Sequence, residues 1–82
     1  MKNLWLFNEG RIAILRKLFK CDSANGCELR KVLSMKKPLL SHHIKILREK
    51  GLIKEKKVGR EKFYSINPQK RIFVKEIIKL IN

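Results

Sequence analysis

Residues 36–66, KKPLLSHHIKILREKGLIKEKKVGREKFYSI, limit what this chain can fold into more than any other stretch. Pro38 suits a first helical turn, because its missing N–H is one that a helix start leaves unpaired anyway. Leu40, Ile44 and Leu47 then recur at i, i+4 and i+7, an apolar stripe of helical period. Winding the same residues at about 100° each sets Lys37, Ser41, Lys45 and Arg48 on the opposite face, with His42 at its edge. Gly51 ends the helix, as glycine does where the chain must turn through positive φ. One face of this helix requires a core, and the other is cationic and rich in hydrogen-bond donors.

Leu52 to Lys57 and Glu61 to Ile66 carry strand-type residues on either side of Val58-Gly59-Arg60, a turn containing glycine. So short a connection makes the two strands antiparallel neighbours. Lys54, Lys56, Lys57, Arg60 and Lys62 make the hairpin strongly basic. A helix followed by a basic hairpin is the outline of a winged helix-turn-helix, a mostly α fold with one small β-hairpin. A major groove about 12 Å wide admits such a helix, and a protruding ribbon reaches phosphates or the adjacent minor groove.

The chain has 82 residues, which sets one domain over 1–82 and no second core. A chain of this size buries only about 60–65% of its unfolded surface, so a lone protomer is marginally stable. Its formal net charge is +14, and residues 36–62 hold ten Lys and Arg against three Glu, half of that excess. Such a concentration of charge points to a polyanionic partner, above all double-stranded DNA. No apolar run approaches the roughly 18–20 residues of a membrane span. The opening MKNLWLF is too short, and too soon followed by Asn8-Glu9, to form a signal-peptide core. The expectation is a cytoplasmic, nucleoid-associated protein with no membrane partner. Two cysteines, Cys21 and Cys27, are too few for a disulfide scaffold and agree with a reducing compartment.

Along the rest of the chain, Asn8 reads as the N-cap of a first helix over 8–20, with Ile12, Leu15 and Phe19 on one stripe and Ile14 and Leu18 beside it. Residues 21–26 read as a loop. Asn25 with Glu28 three positions on is a capping-box start to a second helix, whose Leu29, Val32 and Leu33 are expected to face inward. Ser34 to Lys36 forms the short turn to the third helix, so 27–50 is a helix-turn-helix and 52–66 its wing. Asn67-Pro68 opens a last helix over 68–81. Its apolar residues cover too wide an arc for one core-facing stripe, which calls for burial on two sides. A second subunit supplies the missing cover. Leu4, Trp5 and Phe7 from the chain start, with Phe73, Ile77, Ile78 and Ile81 from the last helix, are the candidate contacts of a homodimer.

Glu28-Leu29 with Leu33, followed by LLSHHIKILREKGLIKEKKVGREKFYSINP, resembles the ArsR (arsenic-repressor-like) family of winged-helix transcription repressors. Ser41-x-His43, Leu47-Arg48-Glu49-x-Gly51-Leu52, Gly59-Arg60 and Tyr64 fall where that family's recognition helix and wing have theirs. The resemblance covers about residues 8–82. It implies a homodimer built from the first and last helices, with paired recognition helices reading a palindromic operator. Metal sensors of the family often carry Cys-x-Cys before the turn, where this chain has Asn25-Gly26-Cys27. Others use Asp and His on the last helix, and Pro68–Asn82 contains neither. No metal or other cofactor is expected, and whether a small-molecule or metal effector exists stays open.

Ser41, His42 and Lys45 are the base-edge candidates, and Lys36, Lys37, Arg48, Lys54, Lys56, Lys57, Arg60 and Lys62 the candidates for backbone or minor groove. Cations at Lys36 and Lys37 oppose the helix dipole, a conflict that a phosphate on the helix N-terminus removes. Arg48 reads as a phosphate contact or an ion pair, Arg60 as a minor-groove residue at the wing tip, and His43 as structural. Cys21 and Cys27 read as free thiols, with a redox switch or two-thiol metal clip as the alternative. No nucleophile–base pair, paired carboxylates or phosphate-cradling glycine loop is present, so an enzyme is not expected. Two rival functions remain: a low-specificity architectural or chromatin-like DNA-binding protein, and a winged helix serving RNA or protein interaction.

Overall fold

The computed structural model describes residues 8–81. Helix α1 spans Glu9–Cys21, strand β1 Ala24–Asn25, α2 Gly26–Leu33, α3 Lys37–Glu49, β2 Ile53–Val58 and β3 Glu61–Ile66. A 3₁₀ turn, Pro68–Lys70, leads into α4, Arg71–Ile81. The strands form one antiparallel sheet in the order β1-β3-β2. This is the architecture of a winged helix-turn-helix.

The start of each of the first two helices is fixed by an asparagine. The Asn8 side chain accepts from the backbone N–H groups of Gly10 and Arg11, at 2.9 and 3.4 Å. Asn25 and Glu28 form a full capping box: Asn25 Oδ1 accepts from Glu28 N–H at 2.8 Å, and Glu28 Oε1 from Asn25 N–H at 3.4 Å. Helix α3 exits through Gly51 at φ +76. There Leu52 N–H donates to Leu47 O and Gly51 N–H to Arg48 O, both at 3.0 Å, the pair of bonds that defines a Schellman motif. Leu47 and Leu52, the positions at which an apolar pair accompanies this motif, are both fully buried. A helix stop and the first core residue of the wing are thus one structure, which fixes the wing's angle to α3.

The core gathers Ile14, Leu15 and Leu18 of α1, Leu29 of α2, Leu47 of α3, Leu52 in the turn after α3, and Val74 of α4, all fully buried. Ile53 and Ile66 face each other across β2 and β3 and join the same core at the wing's base. Asn67 closes that base: its Nδ2 donates to Gly51 O at 2.8 Å and its N–H to Leu52 O at 2.9 Å.

Four local expectations are corrected. Residues 21–26 are not wholly loop, because Ala24 and Asn25 pair with Tyr64 and Phe63 as β1. Two residues are too few to display a period of two, and their partners lie 40 and 38 positions away, so no local signal exists. Val32 is 56% exposed rather than inward, because α2 has only two turns and meets the core along Leu29, with Leu33 half-buried beside it. The hairpin turn is shorter than expected: Val58 pairs with Glu61, leaving Gly59-Arg60 as a two-residue loop. Gly59 has φ +63 while Arg60 keeps negative φ, the type II′ pattern that suits the twist of the strands. Finally, α4 itself begins at Arg71, since Asn67 caps the 3₁₀ turn that precedes it.

Helix α4 is apolar beyond what the chain itself buries. Val74 and Ile77 enter the core and Ile78 is half-buried, whereas Ile72 and Leu80 are 78% and 79% exposed and Phe73 also faces out. Ile77, expected at a subunit contact, is only 4% exposed and packs in the chain's own core. The helix presents one edge to α1, and Ile77 shares that edge with Val74 three residues earlier. Leu4, Trp5, Phe7 and the side chain of Ile81 lie outside the described residues.

Candidate nucleic-acid interface

Helix α3 and the wing both carry exposed cations and meet in a shared notch. Leu40, His43, Ile44 and Leu47 turn inward from α3, and Ser41, His42, Lys45 and Arg48 turn out to solvent. Lys36 and Lys37 are exposed at its start, where no side chain caps the helix and no acid occupies the first turn. The start of α3 therefore carries two exposed lysines and no side-chain cap. In the wing, Lys54, Lys56, Lys57, Arg60 and Lys62 are all exposed.

The register sorts the wing lysines into two sets. Antiparallel partners share a face and successive residues alternate. Glu55, Lys57, Lys62 and Tyr64 consequently lie on the same side as Ile53 and Ile66, while Lys54 and Lys56 lie on the reverse with Phe63. Of the first set, Glu55, Lys62 and Tyr64 line a small notch together with Ser41, Lys45 and Arg48 of α3. In it Arg48 Nη1 donates to Glu55 Oε1 at 2.7 Å, a direct link from helix to wing. Burial, and after it the Glu55 carboxylate, pushes the Tyr64 hydroxyl above its ordinary range and keeps it protonated. Glu55 escapes a reading based on clusters of cations. The signal that marks it is the alternation of Lys54-Glu55-Lys56, which puts the acid alone on the helix-facing side.

Behind the outer face, His43 ties α3 to the start of α1. The ring is buried, and its Nδ1 accepts from Arg11 Nε at 3.2 Å. Burial, then the Arg11 charge, then His42 lower its pKa below the ordinary 6.5. The unfolded chain therefore binds the proton more readily than the folded one. Stability attributable to His43 is complete above about pH 6.5 and is lost as pH falls from there toward the lower folded value, with a slope of up to about 1.4 kcal/mol per pH unit. Urea unfolding at pH 7.5 and 5.5 measures it: the midpoint falls at the lower pH, and His43→Gln removes most of that difference.

Gly10 owes its place to the same ring. A Cβ on Gly10 would stand 2.8 Å from His43 Nε2 and 3.1 Å from the Asn8 cap oxygen. Gly-to-Ala in a helix ordinarily stabilises by up to about 1 kcal/mol. Here the ring is buried and bonded to Arg11, so Gly10→Ala is expected to destabilise by about 1–3 kcal/mol, the usual result of overpacking. Thermal unfolding of the variant checks the sign.

Cys21 is half-buried, its Sγ 3.6 Å from Ser23 O, and Cys27 is exposed. Among the described residues no three His, Cys, Asp or Glu side chains come together. Among them, too, no helix is long and apolar enough to cross a membrane.

Fold and surface together define a winged helix-turn-helix DNA-binding regulator. The pattern of the bacterial regulatory proteins of the arsR family matches residues 8–55, and the chain belongs to that family. Over 72 residues it is 38% identical to an uncharacterised HTH-type transcriptional regulator of Methanocaldococcus jannaschii, covering 88% of this chain and 78% of that one. It is 29% identical over 77 residues to the arsenical resistance operon repressor of Staphylococcus xylosus, covering 94% and 73%. Among solved structures, a transcriptional regulator homologue from Pyrococcus horikoshii superimposes with a TM-score of 0.88 at 26% identity, over 99% of this chain and 84% of that one. HlyU from Vibrio cholerae gives 0.82 at 26% identity, over 93% and 83%.

Proposed function

We propose that the chain is a homodimeric, sequence-specific transcription repressor. In this reading α3 lies in the major groove, with Ser41, His42 and Lys45 toward base edges. Lys36 and Lys37 flank the groove at one phosphate strand, and Lys57, Lys62 and the Arg60 tip reach the other strand or the minor groove. The observation that carries the reading is the solvent-facing row of Ser41, His42 and Lys45 on a helix whose other face is core, set beside a basic hairpin. Arg48 is already paired with Glu55, which favours the ion-pair alternative for it over a phosphate contact. The exposed Ile72, Phe73 and Leu80 of α4 support a dimer, since an apolar helix face of this kind seeks cover. A relative bearing the name of an operon repressor supports the direction of regulation.

Anisotropy titrations against random duplex, random single-stranded RNA and the DNA upstream of the chain's own coding region test the proposal. The upstream duplex should bind at least about 10³-fold more tightly than random duplex at physiological salt. Equal affinity for all duplexes would mean an architectural protein, and preference for RNA would end the DNA reading.

A further inference from the structure

The notch between α3 and the wing, about 150 Å³, contains a single carboxylate among its lining side chains. Around Glu55 stand Lys45, Arg48 and Lys62, with the hydroxyls of Ser41 and Tyr64. A surface evolved only to hold polyanions would leave Arg48 free. Instead Glu55, fixed on β2 opposite Tyr64, holds the guanidinium at 2.7 Å. Glu55 is also less exposed than Arg48, 23% against 46%.

We propose that Glu55 is a specificity-determining residue, which occupies Arg48 in place of a DNA phosphate and so suppresses binding to random sequence. The inference rests on the DNA-binding reading above. On random DNA nearly all affinity comes from phosphates, so withholding one arginine removes a sizeable share of what is available. A phosphate that seeks Arg48 must also displace a carboxylate and approach its charge. At a preferred site the base-edge contacts of Ser41 and Lys45 form whether or not Arg48 is released. Glu55 therefore penalises the wrong complex more than the right one, which is how specificity is gained without a new attractive contact.

The test is a salt series on two probes, a random duplex and the duplex that the wild-type chain selects from a randomised pool. The variants are Glu55→Gln, Arg48→Gln, the double substitution, and Glu61→Gln as a second wing variant with the same change of charge. Glu55→Gln should tighten random-duplex binding by about two- to fivefold, the equivalent of releasing one exposed ion pair. Its salt slope on that probe should steepen by about 0.9, one further phosphate. The selected duplex should change less, so the ratio between probes falls. Glu61→Gln should do less than Glu55→Gln, and the double variant should lose the gain. Equal tightening by both Glu variants, or a gain that survives in the double variant, would reduce Glu55 to a diffuse charge and overturn the proposal. Weaker binding of Glu55→Gln to both probes would make the pair a mere prop for the wing and overturn it equally. A wild-type chain that binds neither probe would fail the DNA-binding reading itself.

Discussion

Lys45→Ala is expected to weaken binding to the preferred duplex by roughly five- to 150-fold, the 1–3 kcal/mol that a good base-edge contact carries, and to relax sequence preference at the contacted position. Lys45 projects from the middle of the outward face of α3, with Ser41 one turn before it. Random duplex should lose far less. Lys37→Ala and Lys57→Ala should behave differently, weakening both duplexes together and lowering the salt slope by about one each. Lys54→Ala and Lys56→Ala should matter less than Lys57→Ala, because they lie on the reverse of the wing. Arg60→Ala should be felt most where A·T-rich flanks narrow the minor groove. Titrations of each variant on both duplexes at several salt concentrations separate these classes.

The second large effect distinguishes two residues of one helix. Ile77→Glu should abolish folding rather than merely split a dimer. Ile77 is sealed in the protomer core, and an isolated buried charge costs several kcal/mol against a total stability of about 5–15 kcal/mol. Phe73→Glu, four residues earlier on the solvent side, should leave the circular dichroism spectrum intact and yield a monomer in sedimentation equilibrium at micromolar concentration. Such a monomer should bind the preferred duplex much more weakly, having lost the second recognition helix. A Phe73→Glu chain that remains dimeric would remove α4 from the subunit contact.

What the sequence disclosed and what it withheld follow a physical line. Local chemistry was legible: the caps at Asn8 and Asn25, the Gly51 exit and the two faces of α3 each depend on residues within a turn or two of one another. The basic surface was legible for the same reason, since a helix of period 3.6 and a hairpin with a short turn leave little freedom. Contacts across the chain were not. Ala24-Asn25 becomes a strand only because β3 arrives beside it, and Arg48 finds Glu55 only because the Schellman turn swings the wing back against α3. The seat of Gly10 under His43 joins residues thirty-three positions apart, and no periodicity announces it. Helix α4 gave half its meaning. Its excess of apolar residues was plain, but which of them the protomer would claim, Ile77 rather than Phe73, depends on the edge it turns to α1.

Selection from a pool of randomised duplexes, followed by sequencing of the bound fraction, separates a sequence-reading dimer from a protein that coats DNA at large. A dimer that presents two α3 helices should enrich an inverted repeat whose half-sites lie about 10–10.5 base pairs apart, centre to centre, or a multiple of that spacing. Enrichment of no motif, with every duplex bound alike, would contradict sequence-specific repression by this chain.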